Sequence, residues 1–478
     1  MNSKLHYTVP VLVVAGMLLI QADFVSSQTS VTTPSTVSTQ SRARDPGVRT
    51  DPAGAPPSAG GHISGLTPNE IKFFDLGRED FIEEERVRDG LGPRMNLDNC
   101  AECHAQPAVG GTSPKVNPQV AFANKFGGTD FVPPFVLLDG PVREARFVRN
   151  PDGSPDGGVH ALFTITGWGG ADGCTLLQPE FAKEMGRNNV VFRIPTPVFG
   201  AGLIEQIPDA TILANQSSNA ARKRDLGIRG RANFRVSGRT ITGQANNNGN
   251  DGTISRFGWK AQNQTLLLFS GEAYNVEMGI TSELFQVERD ETGVCQFANI
   301  PNDTQDFDAA DALTGSTAIQ NFANFQRFLA PPRPSPNTPG GSESIGRGRK
   351  LFESIGCALC HTPTLRTSGK STVVALQNRD ANLYSDLLTH DMGPGLADGV
   401  TQGQAGPREF RTAPLWGLGQ RIFFLHDGRT SDLLEAIDQH QSGSARRGDA
   451  SEANGVIGAY NILRDSQKQD LLNFLRSL

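Results

Sequence analysis

The spacing of apolar positions predicts helices in three parts of the chain. Thr67-Pro68-Asn69-Glu70 has the form of a capping box with proline at the first helical position. A second helix is expected over 348–355, where Gly356 interrupts it, and a third over 470–478. The apolar faces of the three helices consist of Ile71, Phe74 and Phe81, then Leu351, Phe352 and Ile355, then Leu471, Leu475 and Leu478.

Alternating apolar and polar positions predict some β structure between the first two helices. The segments 143–167 and 232–242 contain short runs with β-branched residues, bounded by Gly, Asn and Asp, and we expect them to be hairpins. The fold class is therefore expected to be mainly α, with a partly β intervening segment.

The N-terminus has the layout of a secretory signal peptide. Lys4 precedes an apolar run over 9–20, and small residues follow around Ser26 and Ser27, so residues 1–27 are assigned to the signal. No later segment approaches the roughly 20 apolar residues that a membrane helix needs. The mature protein is expected to be soluble and periplasmic or otherwise exported, with no transmembrane segment after signal removal.

Composition divides the rest of the chain into domains and connecting segments. Residues 28–62 are rich in Ser, Thr, Pro and Gly, and we expect a disordered tether. The Pro-rich stretch 330–341 is expected to link an N-terminal domain, 63–329, to a C-terminal domain, 342–478. A chain of 478 residues can fill more than one core, and its net charge of -6 gives no reason to expect nucleic acid as a partner.

Four of the six cysteines stand in two Cys-x-x-Cys-His motifs. The motifs are Cys100-Ala-Glu-Cys103-His104 and Cys357-Ala-Leu-Cys360-His361. Two thiols at this spacing reach the two vinyl groups of one haem, and the following histidine falls on the iron as proximal ligand. A zinc site would need four ligands, and a redox-active cysteine pair would not require histidine after both motifs. Two covalently bound c-type haems are therefore expected.

Each motif follows a predicted helix, and the chain ends in another, which is the arrangement of a cytochrome c domain. We therefore expect two cytochrome-c-like haem domains. The remaining cysteines, Cys174 and Cys295, lie between the motifs. In an oxidising compartment they are expected to form a disulfide, and two free buried thiols are the alternative.

Five sequence blocks resemble the signatures of the di-haem oxidoreductase family, whose members are labelled peroxidases or thiol oxidoreductases. That family is similar at longer range to bacterial di-haem cytochrome c peroxidases and to the MauG group. The resemblance covers most of the chain after about Thr67 and implies an oxidoreductase. The blocks are Arg193–Pro208, Arg256–Asn263, Tyr384–Gly393, Arg411–Gly417 and His426–Arg429.

The second axial ligand of the C-terminal haem, opposite His361, is expected to be His440. This histidine continues an apolar, inward-facing stripe formed by Leu433 and Ile437. The resemblance points the same way, because in related peroxidases the distal ligand lies at this position on the helix after the His-Asp-Gly motif. The alternatives are Met392 first, and then His390 and His426.

The N-terminal haem has no convincing distal ligand in the sequence, and an open iron position would suit peroxide. In the peroxidases that this chain resembles, a loop glutamate assists proton movement at the open haem. Glu205 is the residue of this sequence that best matches that glutamate. His160 and Met278 are the alternatives that would close the site. Arg256 and Arg411 are candidates to hold haem propionates.

The leading hypothesis is an exported di-haem oxidoreductase of the cytochrome c peroxidase type. A small redox protein or other donor would reduce the C-terminal haem, and the N-terminal haem would reduce a small oxidant such as hydrogen peroxide. The alternative is a non-enzymatic di-haem electron-transfer protein with both irons six-coordinate. The resemblance also implies a calcium ion between the domains, although no loop has a calcium-binding spacing of its own.

Overall fold

Helices carry most of the secondary structure in the computed structural model, which describes residues 42–49, 59–234, 254–287, 291–305, 315–337 and 340–478. The predicted mainly α fold is therefore confirmed. The α-helices are α1 Pro68–Ile82, α2 Cys100–Cys103, α3 Gln119–Phe122, α4 Phe181–Gly186, α5 Ala201–Glu205, α6 Asp209–Ser217, α7 Ala220–Leu226, α8 Leu266–Met278, α9 Ala318–Phe328, α10 Gly341–Ile355, α11 Leu433–Asp438, α12 Asn454–Asn461 and α13 Asp465–Ser477.

The strands are short and pair only in small antiparallel sheets. The largest has three strands in the order β3-β2-β5, and the others pair β1 with β4, β6 with β7, β8 with β9 and β10 with β11. The strands are β1 Arg94–Met95, β2 Glu144–Phe147, β3 Val159–His160, β4 Phe163–Thr164, β5 Val190–Arg193, β6 Asn233–Phe234, β7 Ile254–Ser255, β8 Leu365–Arg366, β9 Asp380–Ala381, β10 Thr389–Asp391 and β11 Glu409–Arg411.

The predicted hairpins have different outcomes. The antiparallel pair β2–β3 lies inside 143–167 and confirms the first. Within 232–242, only β6 belongs to the described residues, and its partner is β7, beyond the expected hairpin. The rest of this predicted hairpin lies outside the described residues.

The capping signals in the sequence start the first helix as predicted. The Thr67 side chain accepts a hydrogen bond from the Glu70 N–H over 3.3 Å, and the Glu70 carboxylate accepts one from the Thr67 N–H over 2.6 Å. The second helix, α10, ends where Gly356 adopts a φ of 107°, a conformation that favours glycine. Both helices lead toward a Cys-x-x-Cys-His motif.

Two helix crossings repeat the same contacts. In the pair α1–α9, a Cβ atom on Gly77 would lie 2.1 Å from the carbonyl oxygen of Asn321, and in α10–α13 one on Gly348 would lie 2.0 Å from that of Asp470. Four residues after each of these positions stands a phenylalanine. Phe81 packs on Phe325 at 4.9 Å between ring centroids, and Phe352 packs on Phe474 at 5.4 Å.

The repeated crossing places an aromatic ring against each motif histidine. The centroids of Phe81 and His104 are 5.9 Å apart, and those of Phe352 and His361 are 6.2 Å apart. The surroundings of the two Cys-x-x-Cys-His motifs are therefore alike in the helix pair beside each motif as well as in sequence. The N-terminal pair depends on α9, which the apolar spacing had not identified.

Residues Arg42–Leu478 form one compact unit, and the boundary at 330–341 stays a prediction. The signal peptide lies outside the described residues. Part of the expected tether is ordered: the Asp45 carboxylate binds the buried Arg476 guanidinium at 2.6 Å, and the Arg49 N–H donates to Gly419 O. A guanidinium buried in the last helix needs such an acidic partner. None of the helices described is long and apolar enough to cross a membrane.

Candidate haem sites

The first motif forms the short helix α2 and the turn after it. Asn99 caps the helix by accepting a hydrogen bond from the Glu102 N–H over 2.8 Å. The Nδ1 atom of His104 donates to Gly111 O over 2.9 Å, which orients the ring and leaves Nε2 available. A backbone carbonyl commonly holds an iron- or zinc-binding histidine in this way.

The second motif forms a 3₁₀ turn directly after α10. The Nδ1 atom of His361 donates to Tyr384 O over 3.0 Å, so this histidine is held in the same manner as His104. Burial lowers the pKa of both imidazoles to about 4, which keeps them neutral. Neutral imidazole is the form that binds a metal.

Each motif lines its own large cavity. The cavity beside Cys100, Cys103 and His104, called here the N-terminal cavity, has about 1140 Å³ of space free of atoms, and part of that space is open to solvent. The one beside Cys357, Cys360 and His361, the C-terminal cavity, has about 1400 Å³ on the same measure.

Unpaired polar atoms in the N-terminal cavity fit a bound polar group. Buried polar atoms nearly always have hydrogen-bond partners, and a cluster of exceptions marks a place where a partner belongs. The cavity-lining atoms without a partner are Asn96 Nδ2, Arg143 Nε, Arg193 Nε, Gln262 Oε1 and Gln326 Oε1. The donors among them suit the carboxylates of a haem.

The C-terminal cavity contains two buried arginines that lack an acidic partner among the described residues. Burial, and then the neighbouring Arg421, lower the pKa of Arg411 to about 10, and burial has the same effect on Arg421. The hydroxyl of Tyr460, also in the cavity lining, has no hydrogen-bond partner. Two guanidiniums and a phenol facing an apolar cavity fit haem propionates.

The two arginines predicted to bind propionates have different surroundings. Arg411 lines the C-terminal cavity and donates from Nε to Gly258 O over 2.9 Å. Arg256 lines neither cavity; its guanidinium binds the Asp209 carboxylate and the carbonyl of Ile207. These contacts already satisfy a buried charge, so Arg256 is held in a structural role.

His440 faces the C-terminal cavity together with His361. Its Nδ1 atom donates to Ala436 O over 2.8 Å, which leaves Nε2 free. Burial is the main cause of the lowered pKa of His361, and the positive charge of a protonated His440 is the second. The two rings therefore lie close enough to interact electrostatically. The structure thus brings His361 and His440 together.

The other ligand candidates of this cavity differ from His440. Both nitrogens of His390 are engaged, with Nε2 at 3.0 Å from Asp386 and Nδ1 at 2.8 Å from Glu452. His426 stacks on Phe410 at 4.2 Å between ring centroids. Met392 lines the cavity and packs in an apolar cluster with Ile194, Trp259, Leu396, Phe410 and Phe423. It stays the alternative ligand.

Glu205 is buried outside the lining of the N-terminal cavity. Its carboxylate accepts hydrogen bonds from the Leu266 N–H over 3.0 Å and from Arg327 Nε over 2.8 Å. Through these contacts the carboxylate joins α5 to α8 and α9. The catalytic role of Glu205 stays a prediction. His160 also lies outside the lining, with Nε2 at 2.7 Å from Asp156.

Three glutamates line the N-terminal cavity: Glu144, Glu272 and Glu277. None of them was predicted from the sequence. Glu144 is paired with Arg146, and Glu272 accepts a hydrogen bond from Asn263. No described residue forms a hydrogen bond or ion pair with the Glu277 carboxylate. Burial, reinforced by Glu144 and Glu272, raises the pKa of Glu277 to about 8.

A signal for Glu277 was present in the sequence. The helix Leu266–Met278 is otherwise rich in apolar residues, and an acidic residue on such a helix is costly unless it has a function or a partner. Met278, the next residue, is buried in the N-terminal core and also lines the cavity.

Trp259 is the tryptophan that lines both cavities. Its Nε1 atom donates to Ile194 O over 2.9 Å, and its ring stands edge-on to His426 at 6.4 Å. Trp168 and Trp416 belong to apolar cores and line neither cavity. Spacing alone could not separate Trp259 from the other two.

The remaining cysteine and metal predictions have different outcomes. Cys174 and Cys295 form a disulfide, as predicted. Within the described residues, one group of three potential metal ligands lies close together: Cys360, Asp386 and His390. Because Cys360 belongs to the second motif, this group does not make a calcium site, and the calcium ion stays a prediction.

Structural comparison finds similar chains at low identity. Hydrazine synthase from Kuenenia stuttgartiensis is 18% identical over 36% of this chain and 60% of that chain, with a TM-score of 0.22. A MauG-like protein associated with microbial copper homeostasis is 22% identical over 34% and 56%, with a TM-score of 0.23. The diheme peroxidase BthA from Burkholderia thailandensis is 16% identical over 46% and 65%, with a TM-score of 0.27. This chain therefore spans less than two thirds of each.

A comparison with curated proteins found no match. The model of the family described as "Di-haem oxidoreductase, putative peroxidase" matches residues 181–478, which is more than half of the chain. The match includes the second Cys-x-x-Cys-His motif, and the first lies before it. The chain belongs to the di-haem oxidoreductase family.

Proposed function

We propose that this protein is an exported di-haem c-type cytochrome of the peroxidase type. The residues around the second motif would hold a haem that supplies electrons, and those around the first would hold a haem with an open position at which hydrogen peroxide is reduced. The observation that carries the proposal is an asymmetry in histidines: His440 and His361 line the same cavity, and no second histidine among the described residues lines the other, where Met278 stays the alternative ligand. Haem iron with two axial ligands transfers electrons, and iron with an open position also binds peroxide.

The chain's own groups suit this division of work. His361 and His440 would bind the iron of the C-terminal haem, with Met392 as the alternative to His440. Cys357 and Cys360 attach it, and Arg411 and Arg421 neutralise its propionates. The lining of this cavity is mostly apolar, which suits a haem that transfers electrons.

The N-terminal cavity has the polar lining that peroxide chemistry requires. Cys100 and Cys103 would attach the haem and His104 would bind its iron, and Arg143 lines the cavity with its Nε atom unpaired among the described residues. Glu277 holds a proton at neutral pH and delivers it to the leaving oxygen of the peroxide. Glu205, whose carboxylate binds Arg327 outside the cavity lining, stays the alternative proton donor.

Electrons pass between the sites through the protein near Trp259, since this ring lines both cavities. A small redox protein or other donor outside the cytoplasm supplies them to the C-terminal haem. Hydrogen peroxide takes up two electrons and two protons and leaves as two molecules of water. Each turnover therefore requires two electrons from the donor.

The spin states of the two haems test the proposal. In the purified protein, electron paramagnetic resonance and visible absorption are expected to show one low-spin and one high-spin haem, at rest or after half reduction. Hydrogen peroxide should then change the spectrum of the high-spin haem. If both haems stay low-spin in both states and peroxide changes neither, the protein is an electron carrier and not a peroxidase.

A further inference from the structure

Tyr274 and Glu85 form a buried hydrogen-bonded pair at the wall of the N-terminal cavity. The Tyr274 hydroxyl donates to Glu85 Oε1 over 2.7 Å. Tyr274 lies on α8 and lines the cavity together with the haem-attaching cysteines. Glu85 follows α1, and its backbone N–H donates to Asp98 O over 2.8 Å, which fixes its position behind the phenol.

No other tyrosine within the described residues has both features. Tyr460 lines the C-terminal cavity, but its hydroxyl has no hydrogen-bond partner. Tyr384 lines neither cavity and packs between Phe352 and Phe474. Tyr274 alone among them combines a place beside a haem site with a carboxylate that can take its proton.

We propose that Tyr274 is a redox-active residue that gives one electron to the N-terminal haem site when peroxide has been reduced there and no donor electron is available. This rests on the proposed function. The oxidant is hydrogen peroxide, which leaves the protein two electrons short as it becomes water. One of the two electrons comes from the haem site itself and the other from Tyr274, whose O–H bond breaks as the electron goes to the haem site and the proton goes to Glu85 Oε1.

The surroundings of the pair favour this transfer. A phenol that loses an electron becomes a strong acid, so it must hand its proton to a base within hydrogen-bond distance. Burial raises the pKa of Glu85 to about 7, and the neighbouring Glu83, Asp89 and Asp80 add to this effect. A large fraction of Glu85 is therefore ionised and able to accept the proton at neutral pH.

The resting phenol itself stays protonated and shielded. Burial, and then Glu85, raise the pKa of Tyr274 well above its usual range. The ring stands edge-on to Phe322 at 5.0 Å between centroids and is about 4% exposed. A radical at this position is kept from water, and an electron from the donor together with the proton from Glu85 restores the phenol.

Radical detection after peroxide addition tests the inference. Holoprotein with both haems oxidised, and the same protein half reduced, are mixed with excess hydrogen peroxide and frozen rapidly for electron paramagnetic resonance. The wild type is expected to give a radical signal whose splitting collapses when the protein contains ring-deuterated tyrosine. Tyr274→Phe should lose the signal, Glu85→Gln should lose most of it, and the matched variant Tyr384→Phe should keep it.

Stopped-flow absorption of the same samples separates this inference from the proposed function. If peroxide changes the N-terminal haem spectrum of the wild type but the radical is absent, or persists in Tyr274→Phe, the redox role of Tyr274 is overturned and the peroxidase proposal stands. If peroxide changes no haem spectrum in the wild type, both are overturned. The resting spectra of the variants show whether both haems have been incorporated.

Discussion

A Cβ atom on Gly348 would lie 2.0 Å from the carbonyl oxygen of Asp470, so helices α10 and α13 touch through their backbones. The same relationship joins Gly77 to Asn321 in the other helix pair, at 2.1 Å. In both cases a phenylalanine one turn later packs on its counterpart and lies against a motif histidine. The two crossings therefore help to set the position of the two motif histidines.

Gly348→Ala should destabilise the protein, because the added methyl group has no space between the two backbones. Overpacking of this kind costs about 1–3 kcal/mol. Gly346→Ala is the matched control, since a Cβ atom there meets nothing within 4 Å in the same helix. The control should gain up to about 1 kcal/mol from higher helix propensity. Denaturant unfolding of both variants measures the difference, and equal stabilities would contradict the close crossing.

Replacing His440 should open the C-terminal haem. His440→Ala is expected to convert that haem from low-spin to high-spin, because the imidazole that faces His361 is lost. Met392→Leu serves as the control and should leave the spectrum unchanged. Visible absorption and electron paramagnetic resonance distinguish the two. The opposite result, with only Met392→Leu becoming high-spin, would transfer the axial role to Met392.

Arg411 and Arg256 should respond differently to substitution. Arg411→Leu removes a positive charge beside the C-terminal haem, so its ferric form is favoured and its midpoint potential falls. Arg256→Leu breaks the ion pair between the fully buried guanidinium and the partly buried Asp209 carboxylate, and should cost up to roughly 3–5 kcal/mol of stability. Spectroelectrochemical titration and denaturant unfolding check the two effects. A lower C-terminal potential in Arg256→Leu, with Arg411→Leu unchanged, would reverse the assignment.

Peroxide reduction should decline in alkaline solution as Glu277 loses its proton. Its pKa is raised to about 8, so the donating acid is present below that pH and absent above it. Glu277→Gln should lower the rate and remove this decline at high pH, the alkaline limb of the profile. The facing Glu144, Glu272 and Arg146 do not take over the donation of the proton. Glu205→Gln should instead lower stability and keep the limb. Rates measured across the pH range decide between the two carboxylates, and a limb that survives in Glu277→Gln would exclude Glu277 as the donor.

The raised pKa of Glu277 also makes a stability prediction. Between the ordinary pKa of 4.5 and about 8, the folded protein binds more protons at this site than the unfolded chain. The contribution of Glu277 to stability is therefore present below pH 4.5 and is lost as the pH rises toward 8. Glu277→Gln should flatten this part of the unfolding profile, and an unchanged profile would show that the group titrates normally.

The sequence by itself determined the local features of this protein. These features depend on neighbouring residues: the Cys-x-x-Cys-His motifs, the capping box at Thr67, the helix ended by Gly356 and the amphipathic C-terminal helix. The three predicted helices all formed. The apolar stripe that ends at His440 also placed this histidine correctly in the C-terminal cavity. Periodicity of 3.6 residues is a local property, so one chain segment suffices to reveal it.

Only the tertiary structure decided which polar residues face the haem cavities. Glu205 and Arg256 have the residue types that catalysis and propionate binding need, but distant partners, Arg327 and Asp209, neutralise them. Among the described residues, Glu277 and Arg421 have no such partner, and they line the cavities instead. Whether a buried charge is paired depends on residues far away in the sequence, and no local pattern records that pairing.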